Sequence, residues 1–411
     1  MTPEQKAWLL LTVVKLLAVF TLYMVTITYL TLLERKLAAW FQNRLGPNRV
    51  GPSGLLQPIA DGIKAVLKQE TLPAQSAKAV FVMAPSLAFI PALTLCALIP
   101  VAAPVDFSFD WTLPLVGRMT WDGPLPMVVA DVPAGFLLIL AISSIGVYGI
   151  ALAGWSSNSK YSLLGGLRSS AQMVSYEVAA GLSVVPVLLL SGNVSMGEVI
   201  RAQQASTWYV LPLFLSYFFF LLAGFAETNR LPFDLPEAES ELIAGYHTEY
   251  SGMKFSLFFI AEYANMITVS AVTVTLFFGG WDIPFTAWDQ SGGWLPALAS
   301  FALFGLKVFL FIFVFMWVRW TLPRFRYDQL MALGWKLLVP VLLAYVMLIA
   351  VALVVVEQGL GVTSPLARNL ALFGVNLVAG WLVFFVLDRG LVIRGVAGRA
   401  PPADRSLPEA S

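Results

Sequence analysis

The residues from Ala226 to Met253, AETNRLPFDLPEAESELIAGYHTEYSGM, place six carboxylates (Glu227, Asp234, Glu237, Glu239, Glu241 and Glu249) between two long apolar stretches of a chain that is only 12% charged. Ionisable groups are costly at the edge of a hydrocarbon layer, and where they persist they usually mark a route for ions or protons. Within PEAESEL, Glu237 and Glu241 are four residues apart and share a face if the segment is helical, whereas Glu239 projects elsewhere. Like charges on one face repel, more strongly when desolvated, and then titrate as a coupled set. A solvated acidic loop is the plainer reading of any charge run. Against it, the carboxylates alternate with Leu231, Phe233, Leu235, Leu242, Ile243, Pro232 and Pro236, the composition of a segment folded back against a membrane.

Two further glutamates lie inside apolar segments: Glu177 in AQMVSYEVAAGLSVV and Glu262 in FSLFFIAEYANMITV. Low dielectric disfavours an ionised carboxylate, so such a group is suited to holding a proton. A single buried glutamate serves equally well as a docking group bonded to a Tyr, Ser or Arg. Two of them, with the acidic stretch between their segments, point to a proton relay. Arg230 and Arg319 are placed to offset part of this negative charge. Arg324 and Arg326, flanking Phe325 in LPRFRYDQL, read either as a headgroup anchor or as a polar site for an amphipathic ligand.

The elements that must hold these groups are membrane spans. Hydrophobic residues make up 58% of the 411, and the mean hydropathy is +0.79, outside soluble usage. About 20 apolar residues make a span. Nine such stretches are expected, near 8–33, 79–102, 127–153, 171–191, 208–226, 255–279, 295–320, 336–356 and 369–388, giving an all-α polytopic membrane protein with one transmembrane domain over 1–390. The 13 Trp and 29 Phe suit aromatic belts at headgroup level. Lys and Arg crowd alternate loops: Arg35, Lys36, Arg44, Arg49, Lys64, Lys68 and Lys78, then Lys160 and Arg168, Arg230 and Lys254, Arg324 and Arg326. The other loops hold only Arg118, Arg201 and Arg368. The positive-inside rule therefore puts the N-terminus outside and the C-terminus in the cytoplasm, with the acidic stretch on the cytoplasmic side. The first apolar stretch is too long for a signal-peptide core, so it is expected to be a retained span.

In LLQPIADGIKAVLKQE (55–70), Leu55, Leu56, Ile59, Ile63, Val66 and Leu67 recur at helical spacing opposite Gln57, Asp61, Lys64 and Lys68. This is an amphipathic surface helix, either an anchor or the wall of a functional site. Residues 391–411, polar and Pro-rich, read as a disordered tail. The net charge of +1 leaves no basic face for nucleic acid. One cysteine, Cys96, and one histidine, His247, give neither a thiolate set for an iron–sulfur cluster nor paired histidines for haem, and no dinucleotide fingerprint or P-loop is present. No metal site is expected, and any electrons must come from another subunit.

Four stretches, ERKLAAWFQNRLGPNRVGPSGLLQPIADGIKAVLKQE (34–70), RSSAQMVSYEVAAGLSV (168–184), the segment 226–267 and LPRFRYDQLMALGWKLLVP (322–340), together closely resemble the core membrane subunit family of respiratory complex I. That family comprises the H subunit of bacterial NADH-quinone oxidoreductase and its counterpart, mitochondrial NADH dehydrogenase subunit 1. The resemblance runs nearly the whole chain in order, except the loop near 281–295 and the residues after about 390. It implies a proton-translocating complex in the bacterial inner membrane, in which this chain carries no redox centre and forms much of a chamber for a lipid quinone, ubiquinone or menaquinone. The terminal iron–sulfur cluster would sit on a hydrophilic-arm neighbour, and small membrane subunits and antiporter-like subunits would be further partners. The resemblance puts Glu34, Arg35, Arg44, Asp61, Lys64, Arg319, Arg324 and Arg326 on the quinone chamber. It puts Glu177, Glu227, Arg230, Asp234, Glu237, Glu239, Glu241, Glu249 and Glu262 on an acidic proton path leading away from it.

Two other readings compete. Buried acids suit an autonomous transporter or channel equally well on physical grounds, although no internal repeat is evident in the chain. The membrane anchor of energy-converting hydrogenases would share the acidic path without needing a quinone; the 34–70 and 322–340 matches favour the quinone branch.

Overall fold

The computed structural model describes residues 2–113, 117–234, 243–284, 286–362 and 364–388. Glu237, Glu239 and Glu241, and the tail 391–411, lie outside the described residues. Among those described, eight helices are long and apolar enough to cross a membrane. They are α1 (Pro3–Phe41), α3 (Lys78–Thr94, extended to Leu98 by a tighter turn), α4 (Gly135–Ser156), α5 (Lys160–Ser191), α8 (Gly252–Phe277), α9 (Trp294–Thr321), α10 (Tyr327–Gly359) and α11 (Pro365–Asp388). The span expected at 208–226 is a 14-residue helix, α7 (Phe214–Glu227), entered through a turn at 209–213. At 1.5 Å per residue it covers about 21 Å, short of the roughly 30 Å hydrocarbon layer, so the turn must complete the crossing. The two short helices are the amphipathic α2 (Gln57–Leu67) and α6 (Met196–Gln204).

One element differs in kind from the expected all-α pattern. Residues between the second and third spans form an antiparallel hairpin, β1 (Ala102–Leu113) and β2 (Gly117–Met127), with Phe109 opposite Trp121. The alternation Val105, Phe107, Phe109, Trp111 against Asp106, Ser108, Asp110, Thr112 is a strand period. The aromatic row runs onto α9, where Phe107 meets Trp294 edge-on at 5.7 Å. Lys15 of α1 secures the other strand by donating to the carbonyls of Pro126 and Val128 at 3.2 and 2.8 Å.

Without a hydrophobic drive between helices in lipid, close approach comes from small residues. A Cβ on Gly149 of α4 would fall 2.6 Å from Ala88 N and 2.9 Å from Ala84 O of α3. On Gly165 of α5 it would fall 2.6 Å from Gly245 Cα, so α5 lies directly against the loop leading to α8. Pro85 inside α3 frees the carbonyl of Phe81, and the Tyr250 hydroxyl donates to it at 3.1 Å. A continuous buried core runs through the helices from Tyr23 on α1 to Ala379 on α11.

The connecting segments gather at two ends. At one, Thr71 N donates to Ser251 Oγ (3.0 Å), Asn158 to Gln75 Oε1 (3.1 Å) and Phe325 N to Pro232 O (3.1 Å), with Lys254 paired to Glu70 at 2.6 Å. At the other, the hairpin meets the 278–293 loop, Asp106 N donating to Gly292 O at 2.9 Å, and Asn369 donates to Thr207 at 2.9 Å. The Lys- and Arg-rich loops all fall at the first, which is called the near end below.

Candidate functional site

Glu34, on the last third of α1, is only 5% exposed. Arg230, in the turn after α7, reaches it with one guanidinium nitrogen, 2.8 Å from Oε1 and 2.9 Å from Oε2. Arg319 of α9 bonds the same Oε1, and the Tyr263 hydroxyl donates to Oε2 at 2.7 Å. Arg230 also places Nε 2.5 Å from Glu262 Oε1 and stacks over the Tyr263 ring, 4.6 Å from its centroid. Asp234 and Arg324 extend the cluster with a 3.3 Å pair. Three carboxylates thus face three guanidinium groups, with Glu34, Arg230 and Asp234 buried and Arg319 and Arg324 reaching the surface.

Local structure explains how these residues meet. Gln172 on α5, fully buried, donates its amide to Ala226 O (2.8 Å), Phe233 O (2.9 Å) and Asn229 Oδ1 (3.2 Å), fixing the turn that carries Arg230. Phe233 and Phe325 stack at 5.5 Å, bringing the 322–326 turn with Arg324 against Asp234. Burial pushes the Asp234 carboxyl above its ordinary range even though Arg324, Arg319 and Arg230 act to lower it, and its Oδ1 has no partner. Burial disfavours the Arg230 charge too, but Glu262 and Glu34 overcome it and hold the guanidinium firmly protonated.

A second cluster joins α1 to α2. Asp61 accepts from Arg35 at 2.6 Å, Lys64 at 3.2 Å and Gln57 at 3.1 Å. Partial burial works against the carboxylate, yet the Arg35 and Lys64 hydrogen bonds hold its pKa below the ordinary value. The apolar row of α2 stays exposed, Ile59 at 51% and Val66 at 67%, as a surface helix requires.

Glu177 on α5 accepts a hydrogen bond from Ser144 on α4. It lies close enough to Glu227, at the end of α7, for their charges to interact. Glu249 is partly buried in the turn before α8. Arg44 is exposed beyond α1, and Arg326 is exposed and paired with Asp328 at 3.4 Å, so neither joins the buried network.

The expected chamber and path residues therefore do not separate. Glu34 and Arg324, expected on the chamber, are bonded directly to Arg230 and Asp234, expected on the path; Arg319 joins through Glu34 and Glu262 through Arg230. Tyr263 and Gln172 join the site without having been singled out by the sequence. Tyr263 directly follows Glu262 on a helix, which places the two side chains on adjoining faces; nothing in the sequence marks Gln172. An apolar cleft of about 960 Å³ runs between α1 and α9, with Tyr23, Ile267 and Ala271 in its lining; Leu33 of that lining precedes Glu34 on α1, while none of the network side chains lines it. It reaches Lys36 and Leu55 at the near end and Lys15 and Trp294 at the other. Among the described residues no group of three or more His, Cys, Asp or Glu side chains is arranged to hold a metal.

These features define a multi-pass membrane protein with a buried, charge-compensated network at one membrane face. Its sequence matches the NADH dehydrogenase family over residues 14–350. It is 49% identical over 352 residues to NADH-quinone oxidoreductase H subunit 2 of Koribacter versatilis, covering 84% of this chain and 97% of that one. It is 47% identical over 348 residues to the NADH-quinone oxidoreductase H subunit of Leptospira biflexa (84% and 96% covered) and 50% identical over 331 residues to H subunit 1 of Geobacter sulfurreducens (80% and 91% covered). The chain belongs to the NADH dehydrogenase family.

Proposed function

We propose that the chain is the membrane subunit of a proton-translocating NADH-quinone oxidoreductase, walling a quinone chamber and linking quinone reduction to proton movement. The observation that carries this reading is the single network joining Glu34, Arg230, Glu262 and Arg319, of which Glu34 and Arg319 stand on the same two helices, α1 and α9, that wall a large apolar cleft. The cleft has the size and apolar lining of a ligand pocket and suits the isoprenoid tail of a lipid quinone. A bound quinone would supply the electron-accepting chemistry, drawing electrons from an iron–sulfur cluster on a hydrophilic-arm neighbour.

The residues of this chain hold and move charge. Arg35, Asp61 and Lys64 tie α2 to α1 and form the polar wall at the near end, with Arg44, Arg324 and Arg326 around its rim. Three guanidinium groups balance three carboxylates, so a proton gained or lost there leaves an uncompensated charge in low dielectric. Glu227 and Glu177, on α7 and α5, are candidates to share it, and the acidic stretch with Glu237, Glu239, Glu241 and Glu249 continues the path in this reading. Moving one charge across the membrane potential costs about 2.3 kcal/mol per 100 mV, which favours several coupled sites over one. In this reading the near end faces the cytoplasm and the hydrophilic arm, and the acidic path leads to the antiporter-like subunits. The names of the relatives support the quinone branch over the hydrogenase anchor.

The test is to replace Glu177 or Glu241 by Gln in the assembled complex. Both variants should lower quinone-linked NADH oxidation and proton pumping while assembly, checked in the same membranes, is retained. Full activity and pumping in both would contradict the relay.

A further inference from the structure

At the end of the molecule opposite the acidic stretch, the loop between α8 and α9 is wound around a lysine. Lys307 of α9 donates to the carbonyls of Phe278 (2.9 Å), Gly280 (3.0 Å) and Asp282 (2.9 Å), and its ammonium lies 4.3 Å from the Trp208 ring centroid. All three of its hydrogens are thereby used on backbone. Two buried carboxylates stand nearby, Asp282 at 7% and Asp289 at 2% exposure. Asp282 accepts from Trp208 Nε1 at 2.8 Å, and Asp289 Oδ2 accepts from Gln204 at 2.7 Å. Asp289 Oδ1 is buried without a hydrogen bond of good geometry, although the backbone N–H groups of Asp289 and Ile283 act on the carboxylate and favour its charge.

The balance of charge is one ammonium against two carboxylates, and the ammonium gives neither of them a hydrogen bond. A buried carboxylate oxygen without a well-aligned donor is costly, and carrying a proton there removes the charge. We infer that Asp289 is a proton-binding site at this far face, its occupancy set by competition with Asp282 for the charge of Lys307. The site shares no residue with the proposed relay, so it stands or falls independently of that reading. Other charged groups on the elements around it are Glu198 and Arg201, paired with each other on α6, and, on the hairpin, Asp106 facing Gly292, the exposed Asp110–Arg118 pair and Asp122. Burial raises the Asp289 pKa, and the neighbouring Asp282 charge adds to it. The proton leaves Oδ1 for the aqueous phase at this face as pH rises, and no redox partner is involved.

The experiment is pH-difference infrared spectroscopy of the assembled complex, following the protonated-carboxyl stretch. Asp289→Asn keeps the acceptor for Gln204 and should remove one protonated-carboxyl component. Asp282→Asn leaves Asp289 intact, frees the Lys307 charge for it and should shift that component's disappearance to lower pH. An Asp289→Asn spectrum identical to the parent would overturn the site. An Asp282→Asn titration coincident with the parent would overturn the coupling. If Asp289→Asn fails to assemble, the Asp282→Asn titration decides, a shift supporting the site and its absence sinking it.

Discussion

Replacing Arg230 by Met removes the one group that bonds both Glu34 and Glu262. Glu34, only 7% exposed along its side chain, keeps Arg319 and Tyr263, whereas Glu262, at 15%, loses its ion-pair partner. Stripping one partner from a buried pair costs about 3–5 kcal/mol, because the remaining charge is uncompensated. At 1.36 kcal/mol per tenfold, about 3 kcal/mol felt in the unfolding barrier accelerates inactivation on the order of 100-fold. The assay is the rate of heat inactivation of assembled complex. The double variant Arg230→Met/Glu262→Gln removes the stranded charge and should recover at least ~10-fold, a coupling of about 1.4 kcal/mol. Arg230→Lys should fall between, since a point charge does not reproduce the fork that reaches both acids. If the double variant inactivates as fast as Arg230→Met, or if Arg230→Met stays within about threefold of the parent, the reasoning that these groups form one charge-compensated unit is wrong.

Three other outcomes are expected. Burial among Tyr246, Phe255 and Phe259 lowers the His247 pKa from its ordinary 6.5 to about 4. The unfolded chain therefore binds the extra proton first, and stability falls as pH drops from 6.5 towards 4, by about 3 kcal/mol in all; His247→Phe should flatten that part of the acid-stability curve. Gly149→Leu drives a side chain into the α3 backbone and should abolish accumulation of the protein in membranes, whereas Gly146→Leu, with nothing within 4 Å of its Cβ, should accumulate normally on an immunoblot. Asp61→Asn breaks a half-exposed pair and should change heat stability by no more than ~1 kcal/mol, while raising the quinone KM if α2 walls the chamber.

The spans are legible in the sequence because each is a run of about 20 apolar residues, a signal set by the thickness of the hydrocarbon layer. Their ends are less so. The start of α5 lies at Lys160 rather than near 171, because Lys160 and Arg168 occupy helical positions at the membrane edge that hydropathy scores as loop. The hairpin's alternation is plain in the sequence, yet a window of about 20 residues averages out a period of two. The buried site is half legible: Glu177 and Glu262 stand out as acids within apolar sequence. The bonding around Glu34 does not show, because it meets Arg230 across 196 residues and Arg319 across 285. Resemblance assigns those side chains to two separate roles, and only the fold brings them into one cluster.

The most direct test is a structure of the assembled complex with quinone bound. The expected result is the isoprenoid tail in the cleft between α1 and α9, the headgroup towards the α1–α2 wall, and a hydrated connection from the Arg230 network to Glu227 and Glu177. A quinone that touches neither α1 nor α9, or a network sealed from Glu227 and Glu177 by packed side chains, would contradict it.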